Sequence, residues 1–278
     1  MPYYTPLRYP GGKGKLAPFI EQVFLHNNLS GGTYIEPYSG GAAVALHLLF
    51  RGVANHIIIN DFDYEIYAFW KTVLTHTDWL CHTIENTPVN MDVWFAQKEI
   101  NKNFYNYSLQ EVGFSTFFLN RTNRSGIIKG GVIGGKNQDG PYKIDARYNK
   151  KDLINRIINI STLRDKITLY NMDALELVQS IQTEALGKVL FYFDPPYFKK
   201  GKMLYKNSYQ PDDHKKVSDF IYQLKYPWIV TYDNDDTIHH FYQWSSSLHI
   251  KINYSAYRNA VKGEEVLFYG NVSLPEFA

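Results

Sequence analysis

The sequence predicts an α/β fold: a mostly parallel β-sheet with helices on both faces, a C-terminal antiparallel hairpin and an inserted, mainly helical small domain. Three observations predict it. Strand and helix patterns alternate along most of the 278 residues, the alternation lapses between residues 76 and 150, and two strand patterns end the chain. Repeated strand–helix units form parallel sheets, because a connection between parallel strands must cross a face of the sheet.

The alternation begins with a strand that breaks into a glycine turn, TYIEPYSGG, at residues 33–41. Residues 42–50 then have the apolar spacing of a helix, which Gly52 ends. HIIINDFD (56–63) predicts a second buried strand that ends in acids, and residues 64–74 predict the next helix.

The lapse between residues 76 and 150 predicts the small domain. Residues 91–119 have a helical pattern, with Trp94, Ile100, Phe104, Phe117 and Phe118 as packing positions, and residues 120–149 are rich in Gly, Asn, Lys and Arg and predict a loop. We therefore expect residues 1–75 and 151–278 to form one domain, with residues 76–150 inserted into it.

After the lapse the alternation resumes. The five apolar residues Val189 to Phe193 predict a strand buried on both faces. Helices are predicted over 151–163, 173–182, 211–224 and 236–243, and strands over 167–170, 189–193, 228–232, 248–254 and 264–270.

Composition excludes several classes of protein. A single cysteine, Cys81, excludes an internal disulfide and a cysteine-based zinc site, and no apolar run reaches the ~18 residues of a membrane span. With no signal peptide at the start, we expect a cytoplasmic protein without a metal. The net charge of +2 does not identify a partner, and the 23 tyrosines fit either a tyrosine-rich core or rings that stack on bases.

Two strand ends indicate a nucleoside-containing cofactor. The glycine turn of EPYSGG lets backbone approach a ligand closely, and the acids of NDFD, about 20 residues later, suit the hydroxyls of a ribose. The chain has no GxxxxGK[ST] loop, which argues against nucleotide hydrolysis, and no full GxGxxG, which argues against a dinucleotide. The N-terminal LRYPGGKGK (7–15) is either a flexible basic start or a cap over a small ligand, with Tyr9 stacking and Lys13 pairing with a carboxylate.

The strongest signal is DPPY, residues 194–197. Consecutive prolines stiffen the backbone, so that the Asp194 carboxylate and the Pro195 carbonyl can face one point. Two acceptors in a rigid array match an aromatic exocyclic amine, and Tyr197 offers a ring for the attached base. An amine held in this way can attack an electrophile without prior deprotonation, because preorganised dipoles stabilise the transition state.

These motifs, in this order, resemble the Dam-like adenine-N6 DNA methyltransferases over nearly the whole chain. DPPY is similar to the family's hallmark, YPGGKGK and EPYSGGAA to its cofactor motifs, and NDFD to its ribose-binding acid. FLNRTNRSGI (118–127) and ARYNKK (146–151) resemble its DNA-contacting insertion, and TYDN (231–234) falls at the strand after DPPY. Ala42 stands where the family has a glycine.

The resemblance implies a Rossmann-like methyltransferase that uses S-adenosyl-L-methionine. Asp194, Pro195, Pro196 and Tyr197 would be catalytic, with Tyr197 stacking on a base flipped out of the duplex. The implied cofactor-binding residues are Tyr9, Lys13, Glu36, Pro37, Tyr38, Ser39, Gly40, Gly41, Asp61, Asp173 and Asp194.

The charge of the inserted segment independently indicates that it binds DNA. Between Arg121 and Lys151 there are eight Lys or Arg against Asp139 and Asp145, an excess that favours phosphate contact over a merely solvated face. Arginines suit guanine edges and asparagines suit adenine, and a second basic run follows DPPY. The candidate DNA-binding residues are Asn120, Arg121, Asn123, Arg124, Lys129, Lys136, Arg147, Lys199 and Lys200.

We therefore expect a site-specific enzyme that methylates the N6 amine of adenine in double-stranded DNA in a bacterial or phage-infected cell. A cognate restriction endonuclease is an expected partner, and the chain is expected to be a monomer or a weak dimer. Two alternatives stay open: methylation of cytosine-N4, RNA adenine or protein glutamine, and a DNA-binding regulator without catalysis. Asp rather than Asn or Ser at position 194 favours adenine.

Overall fold

The computed structural model describes residues 4–8, 12–182, 187–199, 209–254 and 261–275. The chain divides into two compact units. The helical unit comprises residues 1–12 and 62–171, and the sheet unit comprises residues 13–61 and 172–278. Among the described residues, no helix is long and apolar enough to cross a bilayer.

The sheet unit contains a mixed, mostly parallel sheet. Its strands are β1 (Thr33–Glu36), β2 (His56–Asn60), β4 (Val189–Phe193), β5 (Trp228–Asp233), β6 (Ser246–Tyr254) and β7 (Val261–Gly270), and β3 (Ile167–Tyr170) belongs to the helical unit. Within the unit they lie in the order β2-β1-β4-β5-β7-β6. β1 runs parallel to β2 and β4, β4 runs parallel to β5, and β7 is antiparallel to β5 and β6. The predicted Rossmann-like sheet with a C-terminal antiparallel pair is confirmed.

Every residue of β4 is buried, as its apolar run predicts. Phe191 and Phe193 share one face with Val230, and they pack in a cluster that includes Leu177 and Val217. Tyr192 faces the other side and stacks on Tyr34 of β1, with ring centroids 6.2 Å apart. The helices of this unit are α1 (Ala17–His26), α2 (Ala43–Phe50), α8 (Ala174–Gln182), α9 (Pro211–Tyr222) and α10 (Asp236–Phe241).

The helical unit is built around aromatic side chains. Phe69 and Phe117 stack with centroids 5.9 Å apart, and Trp94 and Phe118 are fully buried as predicted. Its helices are α3 (Tyr64–Thr75), α4 (Thr77–Asn86), α5 (Met91–Lys102), α6 (Leu109–Thr122) and α7 (Lys150–Ser161). The predicted helical stretch 91–119 is two helices, because Ser108 and Glu111 form a capping box that starts α6.

Candidate active site

The acidic residues at the strand ends of the sheet unit come to one edge. Glu36 ends β1, Asp61 follows β2 and Asp194 follows β4. The parallel register places Ile35 opposite Phe191 of β4 and Glu36 opposite Ile59 of β2. The carboxyl ends of parallel strands meet at the same edge of a sheet, which is where such folds bind ligands.

Asn60, the last residue of β2, holds the loops at this edge. It is fully buried, and its Nδ2 donates to the carbonyls of Pro37 (2.9 Å) and Met172 (3.0 Å). Its Oδ1 accepts from the Met172 backbone N–H (3.1 Å), and its own carbonyl accepts from the Ser39 N–H (2.9 Å). The asparagine in NDFD, which the sequence prediction passes over, therefore fixes the loop after β1 against the loop before α8.

The glycine turn has the left-handed backbone that its sequence indicates. Gly40 has φ 45° and Ala42 has φ 47°, so Ala42 adopts a conformation that favours glycine. The Gly40 N–H donates to Asp61 Oδ2 (2.8 Å), and the Ala42 N–H donates to the Ser39 carbonyl (2.6 Å). Asp61 is thus tied to the turn itself, and it remains half-exposed.

Two side chains of EPYSGG have polar atoms without a hydrogen-bond partner among the described residues. They are Glu36 Oε2 and Ser39 Oγ, and both atoms are buried. Burial, followed by the nearby charge of Asp194, raises the pKa of Glu36 well above its usual value. Buried polar atoms are nearly always satisfied, so these two indicate where a ligand's polar groups would bind.

Two other predicted cofactor residues, Tyr38 and Asp173, have partners within the unit. The Tyr38 hydroxyl bonds to the Tyr209 hydroxyl at 3.1 Å. Asp173 Oδ1 accepts from the backbone N–H groups of Leu175 (2.9 Å) and Glu176 (3.2 Å), so this carboxylate caps the start of α8. Gly41 is buried, and Tyr9 lies outside the described residues.

Asp194, at the end of β4, is held by two donors. Lys13 Nζ lies 2.9 Å from Asp194 Oδ1, and the Thr231 hydroxyl donates to the same oxygen at 2.9 Å. The Asp194 side chain is 18% exposed, so the carboxylate is not turned out into solvent. Burial raises its pKa, and the positive charge of Lys13 opposes that rise. Pro195 is buried and Pro196 half-buried.

Tyr197 and Lys13 share a third partner, Glu265 of β7. Lys13 Nζ donates to the Tyr197 hydroxyl (3.1 Å), and that hydroxyl donates to Glu265 Oε1 (2.7 Å). Lys13 Nζ also lies 3.3 Å from Glu265 Oε1 and 4.7 Å from the centre of the Tyr197 ring. Burial disfavours the charged form of Lys13, but Asp194 and then the other acidic groups outweigh it and hold the pKa of Lys13 well above its usual value. The predicted carboxylate partner of Lys13 is thus supplied by the chain itself.

The strand after DPPY also fixes the backbone beyond it. Asp233 of β5 accepts from the N–H groups of Phe198 (2.8 Å) and Lys199 (3.0 Å), one on each carboxylate oxygen. The ammonium of Lys199 lies 2.9 Å from Asp235 Oδ2. TYDN therefore contributes Thr231 to Asp194 and Asp233 to the residues after Tyr197. Lys200 lies outside the described residues.

In the helical unit, the two asparagines predicted to contact bases are buried. Asn120 exchanges hydrogen bonds with the backbone of Arg8 (2.7 and 2.9 Å) and donates to the Gly126 carbonyl (2.9 Å). Asn123 accepts from the Trp94 indole N–H (2.7 Å) and donates to the carbonyls of Ile127 and Ile128. Both amide groups hold the loop after α6, and in this arrangement neither is presented to a base.

The basic side chains of this unit are more accessible. Arg124, Lys129, Lys136 and Arg147 are exposed. Arg121 is half-buried and donates from Nε to the Arg147 carbonyl at 2.7 Å. Burial, together with the positive charges of Arg8 and Arg156, lowers the pKa of Arg121 to about 10. An unbalanced positive charge of this kind would be stabilised by an anion.

Sequence reasoning missed three residues that shape these sites: Glu265, Asn60 and Asp233. One signal for Glu265 is that GEEVLFYG carries two acids before an apolar strand. Strand side chains alternate between faces, so one of the two must point toward the core. Glu264 is exposed and Glu265 is 2% exposed.

Comparisons with known proteins identify the family of this chain. Residues 9–256 match the family described as D12 class N6 adenine-specific DNA methyltransferase. The type II methyltransferase M.MjaIII of Methanocaldococcus jannaschii is 25% identical over 237 residues, which cover 78% of this chain and 79% of that protein.

Two solved structures are similar at lower identity. One is the Pyrococcus horikoshii protein PH1948, with a TM-score of 0.44 and 9% identity, covering 96% of this chain and 87% of that one. The other is LPL1258 of Legionella pneumophila, with a TM-score of 0.35 and 12% identity, covering 94% and 87%. The family match spans most of the chain, DPPY included. The chain belongs to the D12 class of N6 adenine-specific DNA methyltransferases, the enzymes that methylate adenine in DNA.

Proposed function

We propose that the sheet unit binds S-adenosyl-L-methionine as the methyl donor at the edge formed by Glu36, Asp61 and Asp194. The bound donor supplies a methyl group on a positively charged sulfur. The donor set fits such a molecule: buried Glu36 Oε2 and Ser39 Oγ lack partners among the described residues, and the left-handed turn at Gly40 lets backbone approach closely. Pro37, Tyr38, Gly41 and Asp173 complete the proposed site in the sheet unit, and a role for Tyr9 is proposed from the family resemblance alone.

The charge of the site favours a cation. Glu36 and Asp194 are carboxylates in the unit's interior at this edge, and burial raises the pKa of both, so a positively charged ligand would stabilise their ionised forms. Glu265 on β7 is already paired with Lys13 and the Tyr197 hydroxyl. A ligand with a sulfonium and an ammonium group offsets the remaining negative charge. The product of transfer has a neutral sulfur, so this electrostatic contribution is lost once the methyl group has moved.

The target amine is held by the DPPY segment. Asp194 Oδ1 already has two donors, Lys13 and Thr231, and no donor from the described residues reaches Oδ2. We infer that Oδ2 and the Pro195 carbonyl accept the two N–H groups of adenine N6. The nitrogen lone pair would attack the methyl carbon of the bound donor as the electron pair of the C–S bond goes to sulfur, and the Asp194 carboxylate or water would take the proton that the nitrogen then loses.

Adenine inside a duplex cannot reach this edge, so the proposal includes base flipping, at a cost of a few kcal/mol of unstacking. The Tyr197 ring would stack on the extruded base. Residues 76–150 would bind the duplex as a target-recognition domain, through phosphate contacts of Arg121, Lys129, Lys136 and Arg147 and base contacts of Arg124. Asn120 and Asn123 would support the loop after α6 from inside. Lys199 and Lys200, which follow DPPY in the sequence, would contact the DNA backbone.

The cellular setting follows from the same proposal. M.MjaIII is a type II methyltransferase, and a methyltransferase of that type implies a restriction endonuclease that cuts the same unmethylated sequence. We infer such a partner, an intracellular location where DNA is present, and a chain that acts as a monomer or a weak dimer.

Asp194 carries the proposal, so the experiment changes that residue. Asp194→Ala should abolish transfer to duplex DNA and still bind S-adenosyl-L-methionine, measured by isothermal titration calorimetry. The matched control is Asp219→Ala, because Asp219 is an exposed acid in a surface ion pair with Lys215. A near wild-type rate for Asp194→Ala would refute the assignment.

A further inference from the structure

Glu265 is an acid in a place where an acid is costly. Its side chain is 2% exposed, and it lies on β7 opposite Asp233 of β5. Burial raises its pKa, and Lys13 opposes that rise. A buried carboxylate is costly unless it is paired. Glu265 Oε1 has two described partners, Tyr197 and Lys13, both at the DPPY site, and Oε2 is buried without a partner among the described residues.

Those partners restrain the two groups nearest to Asp194. Glu265 Oε1 accepts the Tyr197 hydroxyl at 2.7 Å, and Lys13 Nζ reaches the same oxygen at 3.3 Å. Without this anchor, the Tyr197 hydroxyl would lose an acceptor on β7, and Lys13 would lose a carboxylate that lies 3.3 Å from its ammonium. A ring that must be parallel to a stacked base gains from being fixed at its far end, because the orientation is set before the base arrives.

We propose that Glu265 is a positioning residue for methyl transfer: it holds the Tyr197 hydroxyl and the Lys13 ammonium, and so sets the plane on which the target base stacks and the place of the lysine beside Asp194. This inference rests on the proposed function, because it assigns a supporting role to a site whose reaction is that function. Glu265 would not contact the DNA; it would affect the stacking of the extruded adenine through its hydrogen bond to Tyr197.

The test compares Glu265→Gln and Glu265→Ala with the matched control Glu264→Gln. Glu264 is the exposed neighbour on the same strand, so its change removes the same charge from the opposite face. Three quantities are measured: the single-turnover rate on duplex DNA, the affinity for S-adenosyl-L-methionine, and the fluorescence of 2-aminopurine placed at the target adenine. Tyr197→Phe, which keeps the ring and removes the hydroxyl, is made alone and together with Glu265→Gln.

Glu265→Gln keeps an acceptor for the hydroxyl and loses the charge, so its single-turnover rate should fall about tenfold, and Glu265→Ala should fall about a hundredfold. Cofactor affinity should stay within about threefold in both, and Glu264→Gln should match the wild type. The 2-aminopurine signal should change in the Glu265 variants, because a loosened ring stacks differently. In the Tyr197→Phe background, Glu265→Gln should cost less than it does alone, since the two changes remove one contact.

Equal rates for Glu265→Gln and Glu264→Gln, or strictly additive effects with Tyr197→Phe, would overturn the inference while leaving the proposed function intact. If Glu265→Gln does not fold, Tyr197→Phe tests the contact from its other side, and a wild-type rate and fluorescence for that variant would overturn it. A wild-type enzyme that transfers no methyl group to duplex DNA would instead overturn the proposed function, and this inference with it.

Discussion

Replacing Asn60 by alanine should loosen the loops that frame the cofactor site. The substitution removes three hydrogen bonds to backbone groups: two donated to the carbonyls of Pro37 and Met172 and one accepted from the Met172 N–H. Asn60 is fully buried, so water does not replace these partners without a cavity that opens to solvent. At about 1 kcal/mol for each lost bond, the free energy of unfolding should fall by roughly 3 kcal/mol.

Urea unfolding followed by circular dichroism measures this change, and Asn55→Ala is the control because Asn55 is exposed just before the same strand. That control should stay within about 0.5 kcal/mol of the wild type. Asn60→Ala should also weaken binding of S-adenosyl-L-methionine by about tenfold or more, since Pro37 and Met172 lose their common support. A loss of stability below about 1 kcal/mol, or unchanged cofactor affinity, would refute the view that Asn60 holds these loops.

Four other predictions concern the same sites. Ala42→Gly should stabilise the protein by about 0.5–1 kcal/mol in thermal unfolding, because φ is 47° at this position; destabilisation would contradict the strain. Lys13→Met should move the acid limb of the rate–pH profile to higher pH. Asp194 must be ionised for transfer, and its pKa, which burial raises, should rise further once Lys13 no longer opposes that rise. An acid limb at the wild-type pH would count against the Lys13–Asp194 pair. Asp233→Ala should lower the single-turnover rate about tenfold by freeing the two N–H groups after Tyr197, with cofactor affinity unchanged; a wild-type rate would argue against that support. Lys129→Ala should reduce the slope of log affinity for DNA against log salt by about one, because Lys129 is exposed and is proposed to contact a phosphate, and an unchanged slope would exclude that contact.

Much of the fold could be predicted because the signals were local. The apolar run of β4 and the strands on either side of it follow from patterns of four to six residues. The antiparallel pair β6–β7 follows from two successive strand patterns without a helix between them. The helix α4 was not predicted. Its sequence, TDWLCHTIEN, buries only one face, and its first-turn acid follows a histidine at the N-cap rather than a typical capping residue.

The candidate site could be predicted only in part, for a physical reason. Asp194 was found because two prolines after a buried strand are unusual in any local context. Glu265 was missed because its partners lie far away in sequence, and an acid in a hairpin strand is ordinarily exposed. Asn120 shows the opposite case: a polar residue in a basic stretch suggests contact with DNA, but whether its amide faces solvent or the Arg8 backbone depends on tertiary packing.

The most direct test of the account is the chemical identity of the product. Duplex DNA that is long and varied enough to contain the recognition sequence is incubated with the enzyme and S-adenosyl-L-methionine. It is then digested to nucleosides, which are analysed by mass spectrometry. We predict N6-methyladenine with the wild-type enzyme and none with Asp194→Ala. Methyl groups on cytosine N4 alone, or N6-methyladenine made at an undiminished rate without the carboxylate, would contradict it.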